Sequence, residues 1–327
     1  MPGGQVPTLR TRIYIDGYNL YYGRLKHTEY RWLDLLKLFQ TLLPTILHNT
    51  DDGPAQMALL EERPICYFTA QILEVAARSD DSVSSQQNYH NALKAHCGNS
   101  IEFVTGYYAV SKARQALVDL EDEDRPPRLC ERAKFWKLEE KQSDVNLALR
   151  MYDDAIHGEV DQIVLVTNDT DLVPALQMIK KRRPQIVCGL VVPTKKAAEG
   201  KPERRGNADL AELADWVRAH ITDDELRSSQ LPELVPGKRR SYYKPLSWYL
   251  RPDLVEKMIA KAMPVFGTEA KVMKWARSPF DLFGDRRPLD MLNDDISAAE
   301  VFKFQDEYKA PVKEQPDASK DSSSQVA

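Results

Sequence analysis

The chain has 327 residues, of which 43% are hydrophobic and 29% charged, and it carries a formal net charge of −4. This is the make-up of a soluble globular protein with one large domain or two ordinary ones. Mild acidity excludes a protein that is basic throughout, but not a local nucleic-acid surface, because the distribution of charge matters more than its sum. No apolar run approaches the roughly 20 residues of a membrane helix, and the start, MPGGQVPTLR, lacks the apolar core of a signal peptide. A cytoplasmic location with no membrane partner is therefore expected. Cys66, Cys97, Cys130 and Cys188 lie far apart with no CxxC pair. That argues against a zinc site or a disulfide framework, and Cys66 and Cys188, set in apolar runs, read as small core residues.

In chain order, residues 10–16 (RTRIYID) read as a short strand with Ile13 and Ile15 inside and Asp16 at its end. Gly17-Tyr18-Asn19 is a turn-forming set. Trp32, Leu35, Leu36, Phe39, Leu42 and Leu43 follow the three-and-four spacing of a helix over about 32–43. Strands are expected at 64–73 (PICYFTAQIL) and 101–110 (IEFVTGYYAV), with a helix at 86–96 between them. Residues 119–128 (DLEDEDRPPR) form an acidic, proline-containing loop that reads as a solvated excursion. RAKFWKL (132–138) alternates as a strand or ribbon does. A helix follows, with Ser143 or Asp144 as its N-cap and Val145, Ala148, Leu149, Tyr152 and Ile156 as its buried stripe. Gly158 ends it.

Next comes Ile163-Val164-Leu165-Val166, a fully buried parallel strand, which runs straight into Thr167-Asn168-Asp169-Thr170-Asp171 and a helix from Leu172. Residues 185–192 are another buried strand, and DLAELADWVRAHI (209–221) is expected to be a single helix. Strands alternating with helices imply a mainly parallel α/β sheet. From 180 to 205 there are nine Lys or Arg against Glu199 and Glu203, a local balance of +7. A basic, aromatic strap is expected at 226–251. Amphipathic helices then follow at 253–263, 269–276 and 297–308, a small all-α module over 252–310, and a polar tail at 311–327 is expected to be disordered.

Three places offer acids at the ends of elements: Asp16 after the first strand, Asp144 opening a helix, and Asp169 with Asp171 after the buried strand. Each alone reads as a turn or cap residue. If the strands of Asp16 and Asp169 are neighbours, these acids share the crevice where open α/β sheets bind ligands. Carboxylates without nearby His or Cys suit Mg²⁺ or Mn²⁺ rather than zinc. Such ions lower the pKa of an attacking water and neutralise charge in phosphodiester cleavage.

IYIDGYNLYYG, EEKQSDVNLALRMYDDA and IVLVTNDTDLVPALQMIKKR, in this order and spacing, resemble the three signature blocks of the NYN domain. That domain is a branch of the PIN-like nuclease superfamily. SQLP and KPLSW further on resemble the ends of bacterial members, so the resemblance covers about residues 10–250, with the domain itself at 10–225. It implies a Rossmann-like (PIN-like) sheet flanked by helices and a Mg²⁺- or Mn²⁺-dependent endoribonuclease. The family's acidic positions fall on Asp16, Asp144, Asp169 and Asp171. Asp16 and Asp169 would hold the metal directly, and Asp144 and Asp171 directly or through water. Asn19, Thr167 and Asn168 match the family's polar positions, and Asn19 and Thr167 would fix carboxylate rotamers or a phosphate oxygen. Basic residues are candidate contacts to the partner RNA: Lys180, Lys181, Arg182, Arg183, Lys195, Lys196, Lys238, Arg239 and Arg240. Tyr242, Tyr243 and Trp248 are candidates to stack its bases. The competing reading of these basic stretches is a solvated face or connecting strap.

MKWARSPFDLFGDRRPLDML is similar to the toxin-binding domain of ParS/Xre-type antitoxins, through Trp275, Pro279, Gly284, Arg287, Pro288 and Leu289. It departs at Asp281-Leu282-Phe283 and Asp285. That resemblance implies a protein partner or self-association, whereas Trp275, Phe280, Phe283 and Leu289 read physically as the core of a small helical module. Two other readings of the whole chain stay open: a non-catalytic RNA-binding or regulatory protein, toxin–antitoxin-like in its partner module, and an acid-rich phosphohydrolase. The latter would want a DxD motif after the first strand, where Gly17-Tyr18 follows Asp16.

Overall fold

A computed structural model describes residues 7–49, 54–77, 79–196 and 206–308. Lys201, Arg204 and Arg205 of the basic segment, and the tail 311–327, lie outside the described residues. The chain divides into two compact units, one ending at Trp248 and the other beginning at Tyr249.

The first unit is built on one sheet. Its strands are β1 (Thr8–Asp16), β2 (Leu47–His48), β3 (Gln56–Ala70), β4 (Ile101–Ala116), β5 (Arg132–Lys141), β6 (Gln162–Val166), β7 (Val187–Val191) and β8 (Trp216–Arg218). They run in the order β5-β4-β3-β1-β6-β7-β8, with β2 beside β3. The path from β3 through β8 is parallel, as is the inner half of β4 on β3; β5 returns antiparallel along the outer half of β4. After β1 the chain builds outward on one side through β3 and β4, then crosses back to lay β6 on the other side of β1. The sheet therefore has its topological switch point between β1 and β6, where ligands bind in such folds.

Helices cover both faces. On one lie α2 (Leu35–Leu42), α3 (Ser82–Cys97) and α7 (Asp223–Ser228), over Ile13, Ile15, Val164 and Val166. On the other lie α4 (Ser143–His157), α5 (Val173–Arg182) and α6 (Ala208–Leu213), over Tyr14, Phe68, Ile163 and Leu165. The alternation along β1 and β6 thus feeds two cores, which is why β6 is apolar at every position from Ile163 to Val166. All four are fully buried, each contributing about 1.5–3 kcal/mol relative to exposure.

Three expectations change. The buried face of α4 is Leu147, Met151, Asp154 and Ala155, whereas Val145 and Leu149 are exposed. The cause is Asp154, a carboxylate that hydropathy places outside. It accepts a 2.6 Å hydrogen bond from Tyr14 and pairs with Arg12 at 2.7 Å and Arg150 at 3.0 Å. Residues 209–221 are not one helix: α6 stops at Leu213, and Trp216–Arg218 joins the sheet as β8. Gly189 on β7 makes this possible, since a Cβ there would lie 2.0 Å from the Trp216 ring. Finally, the expected strap is folded into the first unit up to Trp248. Leu231, Val235 and Trp248 are buried in the α2/α3 core, with a short hairpin of β9 (Leu234–Val235) and β10 (Tyr242–Tyr243) above α3.

The second unit holds α8 (Pro252–Phe266), α9 (Glu269–Ala276) and α10 (Asp295–Glu307). Its core is Leu254, Val255, Met258, Val272, Met273, Phe283, Leu289 and Val301. Phe283 and Leu289 are core residues. Trp275 and Phe280 are only half-buried and gather with Phe266 around Phe304.

Candidate metal centre at the switch point

The parallel register puts Asp16 at the carboxyl end of β1, one residue beyond the Ile15–Val166 pair, so Thr167 follows directly beside it. The Thr167 hydroxyl donates to Asp16 Oδ2 at 3.0 Å and accepts from the Asp169 amide at 3.1 Å. Asp16 Oδ1 accepts from the Asn19 amide at 2.9 Å, and Asn19 Oδ1 accepts from the Asn168 amide at 3.1 Å. Asn168 Oδ1 accepts from the Asn207 amide at 2.7 Å. The first and third sequence blocks are therefore tied by two bonds, both donated by the third block and accepted by the first, and Asn19, Thr167 and Asn168 are the ties.

Asp16 caps the short helix α1 (Gly17–Leu20), and Asp169 caps the turn Thr170–Leu172 by accepting from the Asp171 amide at 3.0 Å. Asp144 is not a cap. The residue before α4 is Gln142, in a left-handed conformation at φ 77° with no side-chain cap bond. Asp144 thus sits in the first turn of the helix, exposed, on the same edge.

The chain reaches that edge because β5 returns along β4 to pair Lys141 with Tyr107, just beyond the last β3–β4 pair. This return also brings in an acid that the sequence did not single out. Glu140 is half-buried, and its buried Oε1 makes no well-aligned hydrogen bond, its nearest polar neighbour being the Ser143 hydroxyl. Its position depends on the fold of the ribbon, and no spacing rule signals it.

Burial and the charges of Asp144 and Asp169 raise the Asp16 carboxyl to about 6, against the pull of its two hydrogen bonds. Burial, Asp16 and Asp144 raise Glu140 to about 7. Asp144 is raised by partial desolvation of its carboxyl and then by Asp169 and Asp171. The charges acting on these three groups are all carboxylates, with no basic side chain among them. An all-oxygen donor set with a poorly satisfied buried carboxylate oxygen and only carboxylate charges acting on it fits a hard divalent ion. Among the described residues no three His, Cys, Asp or Glu side chains converge into a ready-made cage. The fit is accordingly to an ion of the Mg²⁺ kind, held by few carboxylates and several waters.

The basic candidates are spread out. The helix α5 leaves the carboxylate edge and runs back to the other end of the sheet. There Lys180 pairs with Asp215, just before β8, and Arg183 donates to the Ile156 carbonyl near the end of α4. Lys180, Lys181, Arg182 and Arg183 therefore lie at the edge away from the acids. Lys195 and Lys196 follow β7 at the carboxylate edge and are exposed, Lys195 pairing with Asp223 at 2.8 Å. Lys238, Arg239 and Arg240 are exposed in the turn between β9 and β10. Trp248 does not stand exposed on the strap. It is buried against Tyr89 and Trp32, with ring centroids 5.5 and 6.3 Å away.

The family profile of the NYN domain matches residues 10–201. The chain belongs to the NYN domain family. At the family level this indicates nuclease-like chemistry. A Pseudomonas putida (strain DSM 28022 / S16) protein named 6-hydroxy-3-succinoylpyridine 3-monooxygenase HspA is 46% identical over 310 residues, 94% of this NYN chain and 97% of its own length. A solved structure of a Vibrio parahaemolyticus protein of unknown function aligns with 68% of this chain and 98% of its own, at 14% identity and a TM-score of 0.33. Among the described residues no helix is long and apolar enough to cross a membrane.

Proposed function

We propose that this NYN protein is a metal-dependent endoribonuclease that hydrolyses RNA phosphodiester bonds at the switch-point acids, with Mg²⁺ or Mn²⁺. The observation that carries this reading is the gathering of Asp16, Glu140, Asp144, Asp169 and Asp171 with only carboxylate charges acting on the first three. Asp16 and Asp169, fixed by Thr167, would hold the ion, and Asp144 and Asp171 would complete its shell through water. When bound, the ion supplies neutralisation of the phosphate charge and a lowered pKa for the attacking water. Asp144, free of cap bonds, accepts the proton of that water as its oxygen bonds to phosphorus. The P–O bond to the departing ribose oxygen breaks, and Glu140, raised to about 7, is poised to return a proton to it. Asn19 and Thr167 orient carboxylates and touch no reacting atom.

The identity to the P. putida protein favours a second reading, oxygenation of a small pyridine acid. It extends across both units, beyond the NYN match itself.

One experiment separates the two. Purified protein is incubated with mixed RNAs, and separately with 6-hydroxy-3-succinoylpyridine, O₂ and a two-electron donor, each with Mg²⁺, Mn²⁺ or EDTA and beside Asp169→Asn. RNA cleavage that needs the ion and is lost in the variant supports the nuclease. Intact RNA together with substrate-dependent oxygen uptake overturns it in favour of the second reading. Cleavage that survives in Asp169→Asn removes the proposed site.

A further inference from the structure

We propose that a cavity of about 300 Å³ beside the carboxylates, on the α3 face of the first unit, is a binding site for a planar aromatic molecule carrying a negatively charged group. It takes from the functional readings only the position of the acids.

The cavity begins where the site ends. Gly17, the residue after Asp16, lines it, and a Cβ on Gly17 would lie 2.8 Å from the Tyr67 hydroxyl. The phenol of Tyr67 therefore rests on the backbone next to Asp16 and forms the wall nearest the carboxylates. Other walls are rings. Tyr18 and Tyr22 are stacked with centroids 6.1 Å apart, and Tyr89 and Trp248 close the far side at 5.5 Å from each other. Flat aromatic walls favour a flat ligand, which gains offset or edge contacts on both sides. The volume is at the low end for small-molecule sites, about 300–1,000 Å³. It suits one ring and a short tail, not a run of polymer.

The charges select the tail. Two cations line the cavity, Arg31 and Lys26. Arg31 donates to the carbonyls of Thr28 at 3.0 Å and Ser247 at 2.6 Å, and its guanidinium lies 5.4 Å from the centre of the Trp248 ring. The Lys26 ammonium is 5.1 Å from the centre of the Tyr22 ring. Among the described residues neither makes an ion pair. The acid that lines the cavity, Asp81, already accepts hydroxyls from Ser79 at 2.8 Å, Ser85 at 3.1 Å and Ser247. Arg31 also meets the Tyr21 hydroxyl and feels the charge of Asp81, but no carboxylate is bonded to it, and its remaining donors suit a carboxylate or phosphate.

Two sources share this chemistry: a free aromatic carboxylate, and the base and phosphate of a single nucleotide. The test titrates the full-length protein with 6-hydroxy-3-succinoylpyridine and, separately, with a nucleoside 5′-monophosphate, following heat or tryptophan fluorescence. One of the two is expected to saturate. Arg31→Gln should weaken it at least about tenfold, and Lys26→Gln by a smaller factor. Because Arg31 also ties down Ser247, the exposed Tyr22 gives an independent variant, Tyr22→Ala, expected to weaken the same ligand in a protein that melts normally. If neither probe saturates, or if a saturating probe binds all three variants as it binds the parent, the assignment is overturned. Binding is read without turnover. A bound but unreacted ligand thus sustains the cavity while counting against a reaction on it, and turnover unaffected by the three variants does the reverse.

Discussion

Two clusters of buried acid lie on this sheet, and they are built in opposite ways. Asp154, on the buried face of α4, is surrounded by partners: the Tyr14 hydroxyl, Arg12 and Arg150, with Arg150 also reaching Glu102 at 3.1 Å. Asp16, at the carboxyl end of the same β1, has only an amide and a hydroxyl, and the charges acting on it are acids. The first arrangement neutralises a charge so that a helix can be docked. The second leaves negative charge uncompensated at a ligand-binding edge, where it destabilises the fold until something positive arrives. Burial alone does not separate a structural carboxylate from a functional one, but the sign of its neighbours does.

The sharpest way to break this contrast is to neutralise one member of each cluster. Asp169→Asn should lower activity by on the order of 10²–10³-fold or more, the scale of removing one group that acts on transition-state charge. Its melting temperature should stay within a few degrees of the parent, because the asparagine keeps an oxygen for the Asp171 amide. Asp154→Ala should do the reverse. Removing one partner of a buried ion network costs about 3–5 kcal/mol, a fall of roughly 10 °C in a domain of this size. Activity per folded molecule, measured well below the melting point, should be kept. An active Asp169→Asn, or an Asp154→Ala as stable as the parent, would show that the contrast in neighbours carries no functional meaning.

Protonation offers a second test. Folding raises Asp16 to about 6 and Glu140 to about 7. A carboxyl whose folded pKa lies above its unfolded one binds a proton more tightly when folded. Its penalty is absent below the unfolded pKa, near 4, and grows as pH rises through the folded value. In EDTA, these two groups therefore make the protein less stable as pH is taken from 5 to 7.5. Asp16→Asn should reduce that loss. Mg²⁺ or Mn²⁺ must displace the same protons, so the rise in melting temperature on adding the ion should be larger at pH 7.5 than at pH 5.5. Equal metal-induced shifts at the two pH values would detach the raised carboxyls from any ion. Thr167→Val, which removes the hydroxyl between Asp16 and Asp169, should cost about 10–100-fold in metal affinity, the usual worth of a group that orients a ligand.

Much of this is legible in the sequence because it is local. The buried run Ile163–Val166, the polar turn after it and the strand before Asp16 have unambiguous periods, and the three blocks carry the family. What is not legible depends on distant partners. The stripe of α4 misleads because Asp154 counts as polar until Arg12 and Tyr14, more than a hundred residues away, are placed beside it. The helix expected at 209–221 breaks because Gly189 leaves room for Trp216. Glu140 joins the site because a ribbon of two strands returns it there. Trp248 reads as an exposed stacking residue because its tract is basic, yet it fills a core between Trp32 and Tyr89.

The smallest effect is expected where sequence alone raises the strongest charge signal. Lys180–Arg183 form the densest basic run of the chain, and they lie at the end of the sheet away from the acids. Lys180 is joined to Asp215, and Arg183 to the end of α4. Lys180→Ala should cost on the order of 1 kcal/mol, as a half-exposed ion pair does, and leave RNA affinity and its salt slope unchanged. Lys195→Ala with Lys196→Ala, on the carboxylate edge, should instead reduce that slope by up to about two, roughly one for each phosphate no longer neutralised. Affinity measured across a salt series distinguishes the two sets. A slope that falls with Lys180→Ala and not with the edge pair would mean that RNA approaches the sheet from the end opposite to Asp16.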